Sequence, residues 1–417
     1  MDTVDHISFK STDTAGKTIT CKAAVARGPG QPLVIEDVQV APPQKMEVRL
    51  KILFTSICHT DLSAWKGENE AQRAYPRILG HEAAGIVESV GEGVEDIKKG
   101  DHVIPIFHGE CGNCICCRSQ KTNACQKFGV NPLKSVMAND GKPRFSTEDG
   151  SPIFHFLNTS TFSEYTVIDS ACVVKIDSNA PLEKMSLLSC GVSTGVGAAW
   201  NVADVQPGSS VAIFGLGAVG LAVAEGARVR GVSKIIGVDI NPSKFPKGKA
   251  VGITEFINPR DLQVPVHEKI GAITEGGVDY SFECVGNLEV LREAFLSTHV
   301  LHFCYLKKWN ESMFNHTGMG TDCTVGDSPE PEVATSPSNG VIRWASNYRI
   351  HLWRLQRENP TPKVGTAMHL WDPELGRIHN APTSVRQDKR SPSTASRREI
   401  TQMPSAPLSF FRPFANL

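Results

Sequence analysis

The alternation of apolar and polar positions changes character along the chain. From residue 21 to about 190, apolar residues come in short Val/Ile-rich runs broken by Gly and Pro, among them Val48 to Phe54, Gly85 to Val90 and His102 to Ile106. Runs of that length, bounded by turn residues, predict the strands of a β-rich domain. From about 191 to 299 the pattern becomes strand, glycine turn, helix and strand again, which predicts an α/β unit. Ser210 to Phe214 reads as its first strand, Leu221 to Ala227 as an apolar helix and Lys234 to Val238 as the next strand. Residues 1–20 are polar and expected to be loosely held. From Val300 no period persists, and residues 300–417 hold 11 of the 26 prolines and four of the six tryptophans. With so little patterned apolar content this tail is expected to be largely disordered.

The length of 417 residues allows two or three domains. A formal net charge of -1 gives no electrostatic reason for a nucleic-acid or membrane-surface partner. No opening segment reads as a secretory leader and no apolar run is long enough to span a bilayer, so a cytoplasmic protein is expected. In that reducing compartment the twelve cysteines read as thiolates and buried thiols, not disulfides.

Four of them stand as Cys111-x2-Cys114-x2-Cys117-x7-Cys125. Cys-x2-Cys spacing lets one turn of chain present two thiolates to a single tetrahedral zinc ion, and four thiolates would close its coordination, so this loop predicts a structural zinc site. Cys116, inside the loop, is left out of the set. A second, scattered set is Cys58, His81 and Cys190. Three ligands leave a fourth position open, the mark of a catalytic zinc, although spacing alone does not join these three. The glycine turn Gly215-Leu216-Gly217-Ala218-Val219-Gly220 follows a predicted strand and opens a predicted helix, and Asp239 ends the next strand. That context predicts a dinucleotide fold: the glycines admit a pyrophosphate to the helix N-terminus and the acid takes the adenosine ribose hydroxyls, favouring NAD over NADP.

Together these segments resemble the zinc-dependent medium-chain alcohol dehydrogenases, closest in character to their plant alcohol dehydrogenase-like members. The matching text is CHTD (58–61), GHEAAGIVESVGEGV (80–94), CGNCICC (111–117), FHFLNTSTFSEY (154–165), LSCGVSTG (188–195), FGLGAVGL (214–221), GVDINPSKF (237–245) and GVDYSFECVG (277–286). The resemblance implies a GroES-like catalytic domain over 21–190 and an incomplete Rossmann NAD-binding domain over 191–299. It implies two zinc ions per chain, a small alcohol or aldehyde as substrate, and a homodimer for the family, although the region that pairs two subunits is expected to be lost here. It makes Cys58, His81 and Cys190 the catalytic zinc ligands, with Glu82 behind the metal, Thr60 as the hydroxyl that passes on the alcohol proton and Asp61 as the carboxylate that orients a ligand. Phe107 and Phe156 would line the substrate pocket. His59 would face the cofactor pyrophosphate, Asp239 and Lys244 the adenosine ribose, Thr194 the nicotinamide side, with Gly215, Gly217, Val219 and Gly220 cradling the phosphates. Many relatives carry a histidine where this chain has Ser63. The implied reaction is oxidation of primary alcohols by hydride transfer to NAD. A glutathione-dependent formaldehyde dehydrogenase is the nearest alternative, since those relatives share Cys-His-Thr-Asp, and a non-catalytic zinc protein is another.

The resemblance stops at about residue 299. Back-translating Gly318 to Asp327 with permitted codons and reading one base later gives Gly-Trp-Gly-Leu-Thr-Val-Leu-Leu-Gly-Ile, which resembles the family's next Rossmann strand. Similar agreement recurs from Asn339 and from Ile400. The reading is a C-terminal coding sequence in a shifted frame from about residue 318, with 300–317 read from a retained intron or misplaced splice site, and the chain as written is expected to be unstable or inactive.

Overall fold

The computed structural model describes residues 14–119, 122–299 and two short strands at 371–372 and 377–378. In chain order the first half contains β1 (Ile19–Ala26), β2 (Val34–Val40), β3 (Glu47–Ser56), α1 (His59–Lys66), β4 (Arg77–Ile78), β5 (Glu82–Val90) and β6 (His102–Pro105). There follow α2 (Ile115–Arg118), β7 (Phe145–Ser146), β8 (Pro152–Ile153), β9 (Tyr165–Asp169), β10 (Val173–Lys175), α3 (Leu182–Met185) and α4 (Gly191–Gly197). The strands make two five-stranded sheets, ordered β4-β1-β2-β7-β8 and β10-β6-β5-β3-β9. This is the β-rich half expected from the short apolar runs, and the predicted strands fall inside β3 and β5 and on β6.

β3 shows why the two sheets cohere. It lies between β5 and β9, and Val48, Leu50 and Ile52 feed a core with Val87 and Ile168. The alternate positions Glu47 and Arg49 are also buried, which a half-exposed strand would not tolerate without partners. Arg144 donates to both oxygens of Glu47 at 2.8 and 2.6 Å, and Arg49 Nε donates to Glu88 at 2.5 Å. Arg49 also donates to the carbonyls of Thr14 and Lys17 at 2.7 and 2.6 Å, tying the chain ahead of β1 to the sheet. Residues 1–13 lie outside the described residues.

The second half contains β11 (Ser210–Phe214), α5 (Ala218–Val229), β12 (Lys234–Val238), α6 (Phe245–Ala250), β13 (Glu255–Ile257), α7 (Val266–Ile273), β14 (Tyr280–Glu283) and α8 (Leu288–Leu296). All four strands are parallel in the order β13-β12-β11-β14. The order reverses beside β11, so the carboxyl ends of β11 and β14 flank the crevice where open α/β sheets bind ligands. β11 is covered on both faces, Val211 and Ile213 by one apolar cluster and Ala212 and Phe214 by the other. The predicted strands match β11 and β12, and the predicted helix lies within α5. Beyond residue 299 the described residues are β15 (Trp371–Asp372) and β16 (Arg377–Ile378), an antiparallel pair. The expectation of disorder for the tail otherwise falls outside the described residues.

Candidate metal centres and cofactor crevice

The turn after β3 ends in Cys58, the N-cap of α1, and Asp61 closes back on it by accepting the Cys58 backbone N–H at 3.0 Å. The other Asp61 oxygen accepts the Gly80 N–H at 3.0 Å and lies 3.0 Å from His81 Nδ1. With Nδ1–H turned to that carboxylate, Nε2 is the nitrogen that a metal would bind on displacing its proton. Nε2 is buried and has no hydrogen-bond partner. Cys190, N-cap of α4, brings its sulfur to 4.0 Å from that of Cys58. Ligand atoms of Cys58, His81 and Cys190 all lie within 4.8 Å of one another. Zinc–sulfur bonds of about 2.3 Å at the tetrahedral angle put sulfurs about 3.8 Å apart, so the pair fits a shared ion. The orphaned imidazole nitrogen is the third donor of such a site. The structure thus brings together the three residues that spacing could not.

Electrostatics in this centre favour thiolate. A hydrogen bond with Cys190 and the charge of His81 outweigh burial and hold Cys58 well below the usual thiol range. Burial opposes a charged His81, but Asp61 and Cys58 raise its pKa overall. Glu82 is buried beside them and accepts from the Ser56 hydroxyl and, at 2.8 Å, from the Gly191 N–H. Burial and the Cys58 charge push its pKa up to about 7. Thr60 Oγ1 stands 3.8 Å from Cys58 Sγ. His59 is exposed on α1, with Nδ1 3.4 Å from the Ser63 hydroxyl.

One wall of the open centre comes from two phenylalanines. Phe107 meets the His81 ring edge-on at 5.7 Å between centroids and Phe156 does so at 6.1 Å. The turn after Phe156 contains three non-glycine residues in left-handed conformation, Leu157, Asn158 and Ser160, with φ of 46°, 59° and 54°. Such strain persists only where surrounding bonds impose it. Here Ser160 Oγ accepts the Phe156 N–H at 2.8 Å, Asn158 Nδ2 donates to the Phe107 carbonyl at 3.1 Å, and Thr159 donates to the Gly80 carbonyl at 3.0 Å. Gly80 itself has φ +94°, and a Cβ there would lie 2.4 Å from the Phe162 ring. The turn therefore ties the residue preceding His81 to both aromatic walls. Sequence reasoning missed its role; the only local sign is a run of turn-forming Asn, Thr and Ser.

The four-cysteine loop folds as its spacing predicts. Cys111, Cys114, Cys117 and Cys125 place all four sulfurs within 4.8 Å of one another, with 3.9 Å between Cys111 and Cys117 and 3.4 Å between Cys114 and Cys117. Those separations are far beyond a disulfide bond and near the edge of a zinc–thiolate tetrahedron. Backbone N–H groups of Cys111, Cys114, Cys117 and Phe128 point at the sulfurs at 3.3 to 3.4 Å, as thiolates require. Backbone and cysteine hydrogen bonds outweigh burial and bring the Cys114 pKa down to about 6, while burial and the hydrogen bond with Cys114 raise that of Cys117, and burial raises that of Cys116 outside the set.

At the glycine turn the three glycines do different things. A Cβ on Gly215, whose φ is +93°, would lie 2.7 Å from Val285, and one on Gly220 would lie 1.9 Å from the Gly215 carbonyl oxygen. A Cβ on Gly217, the N-cap of α5, would meet nothing within 4 Å. The first and third glycines are needed by the fold, and the second keeps clear a space at a helix N-terminus where an anionic group would sit. Val219 follows in the first turn of α5. Asp239 accepts the Leu216 N–H and Lys244 Nζ on one oxygen, at 2.8 and 2.7 Å, and the Asn241 N–H on the other at 2.8 Å. Burial opposes its charge, but Lys244 and the two backbone donors hold its pKa below the usual range. Thr194 is buried on α4. Gly195 beside it lets α4 touch α5, since a Cβ would sit 2.4 Å from the Val219 carbonyl.

Comparison with known proteins agrees with this reading. The family described as "Alcohol dehydrogenase GroES-like domain" matches residues 44–178, and "Zinc-binding dehydrogenase" matches 218–300. The chain is 73% identical over 288 residues to "Alcohol dehydrogenase-like 4" of Arabidopsis thaliana, covering 69% of this chain and 76% of that one. It is 59% identical over 290 residues to "Alcohol dehydrogenase 1" of Petunia hybrida, covering 69% and 75%. Among solved structures it resembles an alcohol dehydrogenase zinc-binding domain protein from Burkholderia ambifaria, with TM-score 0.65, 35% identity and coverage of 71% and 79%. Benzyl alcohol dehydrogenase from Acinetobacter calcoaceticus gives TM-score 0.65 at 28% identity, covering 83% and 91%.

Proposed function

From its membership of the zinc-dependent medium-chain alcohol dehydrogenases, which makes the chain an NAD-dependent zinc oxidoreductase, we propose that it oxidises primary alcohols to aldehydes at the Cys58–His81–Cys190 centre. The observation that carries the assignment is the buried, unpartnered Nε2 of His81 facing two cysteine sulfurs, a donor set with room for one more ligand. Zinc bound there supplies a Lewis acid that lowers the pKa of an alcohol toward neutrality.

The chain's own groups do the rest. Asp61 fixes the tautomer of His81 and the start of α1 at once. The Thr60 hydroxyl receives the alcohol proton and hands it outward, and Glu82 backs the centre. Phe107 and Phe156 exclude water and bound the alcohol's alkyl group. Gly217 and the N-terminus of α5 take the NAD pyrophosphate with His59, Asp239 and Lys244 take the adenosine ribose, and Thr194 meets the nicotinamide half. Cys111, Cys114, Cys117 and Cys125 hold a second, structural zinc. We divide the chain into an N-terminal segment over 1–20, a catalytic domain over 21–190, a nucleotide domain over 191–299 and a tail, and place the protein in the cytoplasm. No helix among the described residues is long and apolar enough to cross a membrane.

The test is NADH formation by the zinc-loaded full chain with ethanol and with formaldehyde, each with and without glutathione. Oxidation of ethanol without glutathione is expected. Turnover only with glutathione and formaldehyde would replace this reading with the glutathione-dependent one, and bound zinc without turnover would favour a non-catalytic chain.

A further inference from the structure

Arg77 sits at the start of β4, four residues before His81, and is 2% exposed. Buried guanidinium groups ordinarily pair with carboxylates. Among the described residues this one is held instead by neutral oxygens. Nη1 donates to the Gln72 carbonyl at 2.9 Å, and Nη2 donates to the Ser135 hydroxyl at 2.9 Å and the His155 carbonyl at 3.3 Å. Nε has no partner. What the cation does have is an aromatic face: its Cζ lies 5.1 Å from the centroid of the Phe156 ring. The same ring meets His81 at an interplanar angle of 72°. Phe156 thus contacts both a buried cation and the imidazole of the metal centre. The backbone repeats the arrangement, because Arg77 bridges Phe154 in parallel and the Ile78 N–H donates to the Phe154 carbonyl at 3.1 Å. A desolvated guanidinium on a ring face is among the stronger cation–π arrangements, since no water competes for either partner.

We propose that Arg77 is a positioning residue that holds the Phe156 ring against His81 and thereby sets the width of the alcohol pocket. The proposal rests on the reading of Phe156 as a pocket wall. A phenylalanine held only by apolar neighbours can turn about its side-chain bonds and admit wider substrates. Gripped on one face by a cation that is itself fixed at three points, it cannot. The charge is retained at neutral pH, because burial lowers its pKa only to about 10.

The experiment measures binding and turnover separately on the full chain. Cobalt(II) is exchanged into the metal centres, and its absorption is titrated with ethanol and with benzyl alcohol. Steady-state NAD reduction is followed in parallel on zinc-loaded protein. Arg77→Met is expected to raise the preference for benzyl alcohol over ethanol about tenfold, the scale of one methylene in an apolar pocket. Cobalt binding should be unchanged, and the ethanol kcat should move far less than the benzyl alcohol KM. Arg77→Lys, which keeps a cation, should restore the original preference. In the Arg77→Met/Phe156→Leu pair the effects should not add, because one acts through the other. An unchanged preference in folded Arg77→Met, or additive effects, overturns the proposal. Should Arg77→Met not fold, Phe156→Leu decides with Arg77 intact, a preference equal to that of the unaltered chain overturning it. If the unaltered chain binds both alcohols but reduces no NAD, the functional reading fails while the cobalt titrations still decide the role of Arg77. Absence of alcohol binding overturns both.

Discussion

The side chain of Asp61 concentrates more of the site's order than either cysteine does. It fixes the N-cap, the Gly80 turn and the imidazole tautomer with two oxygens. Asp61→Asn keeps the shape but can present an amide N–H to His81, so affinity for zinc at the open centre should fall about 10- to 100-fold. Competition with a chelator checks this, and the four-cysteine ion should be released as before. The glycines of the nucleotide turn separate binding from folding. Gly217→Val adds a side chain to open space and should weaken NAD binding at least about tenfold with little change in melting temperature. Gly220→Ala pushes a methyl into the Gly215 carbonyl, at 1.9 Å before relaxation, and should cost about 1–3 kcal/mol of stability in urea unfolding. Asp169 makes a pH prediction. Burial, with Glu47 adding to it, raises its pKa to about 6, and one carboxylate oxygen has no partner. A carboxyl raised in the folded state is easier to ionise when unfolded. Its cost is therefore absent below the usual aspartate range and complete above about 6. Asp169→Asn should stabilise the protein at pH 7.5 by on the order of 2 kcal/mol and leave it unchanged near pH 4, read by calorimetry.

The turn from Phe156 to Thr161 behaves as a unit because its strain and its bonds are inseparable. Asn158→Ala keeps the left-handed backbone and loses the bond to the Phe107 carbonyl, whereas Asn158→Gly loses the bond but relieves the backbone. The glycine variant should be the more stable by about 1 kcal/mol, measured by urea unfolding, and both should loosen the aromatic wall. Elements of this kind were the least legible from sequence. β11 and β12 fall where the Val/Ile runs put them, because a fully covered parallel strand needs an unbroken apolar run. The cysteine loop and the glycine turn were legible for the same local reason, each being made by one short segment. Cys58, His81 and Cys190 were joined by family resemblance, since strand pairing and a helix cap unite them and spacing does not. Arg77 and Asp169 gave no signal, because a charged residue is buried or exposed according to which distant chain crosses it.

The nucleotide sheet sets the terms for the molecule as a whole. A doubly wound dinucleotide fold has two halves, and the order β13-β12-β11-β14 supplies the first half with the opening strand of the second. On the proposed reading Asp239, Lys244 and the Gly217 space serve the adenosine side, and all three lie within the described residues. Identity to the Arabidopsis thaliana relative extends over 76% of that protein, and the second matched family ends at residue 300. Binding of adenosine and binding of nicotinamide should therefore separate in this chain. We predict that the full chain takes up two zinc ions and binds AMP, yet reduces NAD with ethanol more slowly than a chain in which residues from 318 onward are encoded one base later. Calorimetric titration with AMP and NADH formation on the two proteins side by side provide the check. Equal turnover would show that residues 300–417 as written complete the nicotinamide side, and the shifted-frame reading would fall. Loss of AMP binding as well would place the defect in the first half of the sheet, against the intact carboxylate–lysine pair seen there.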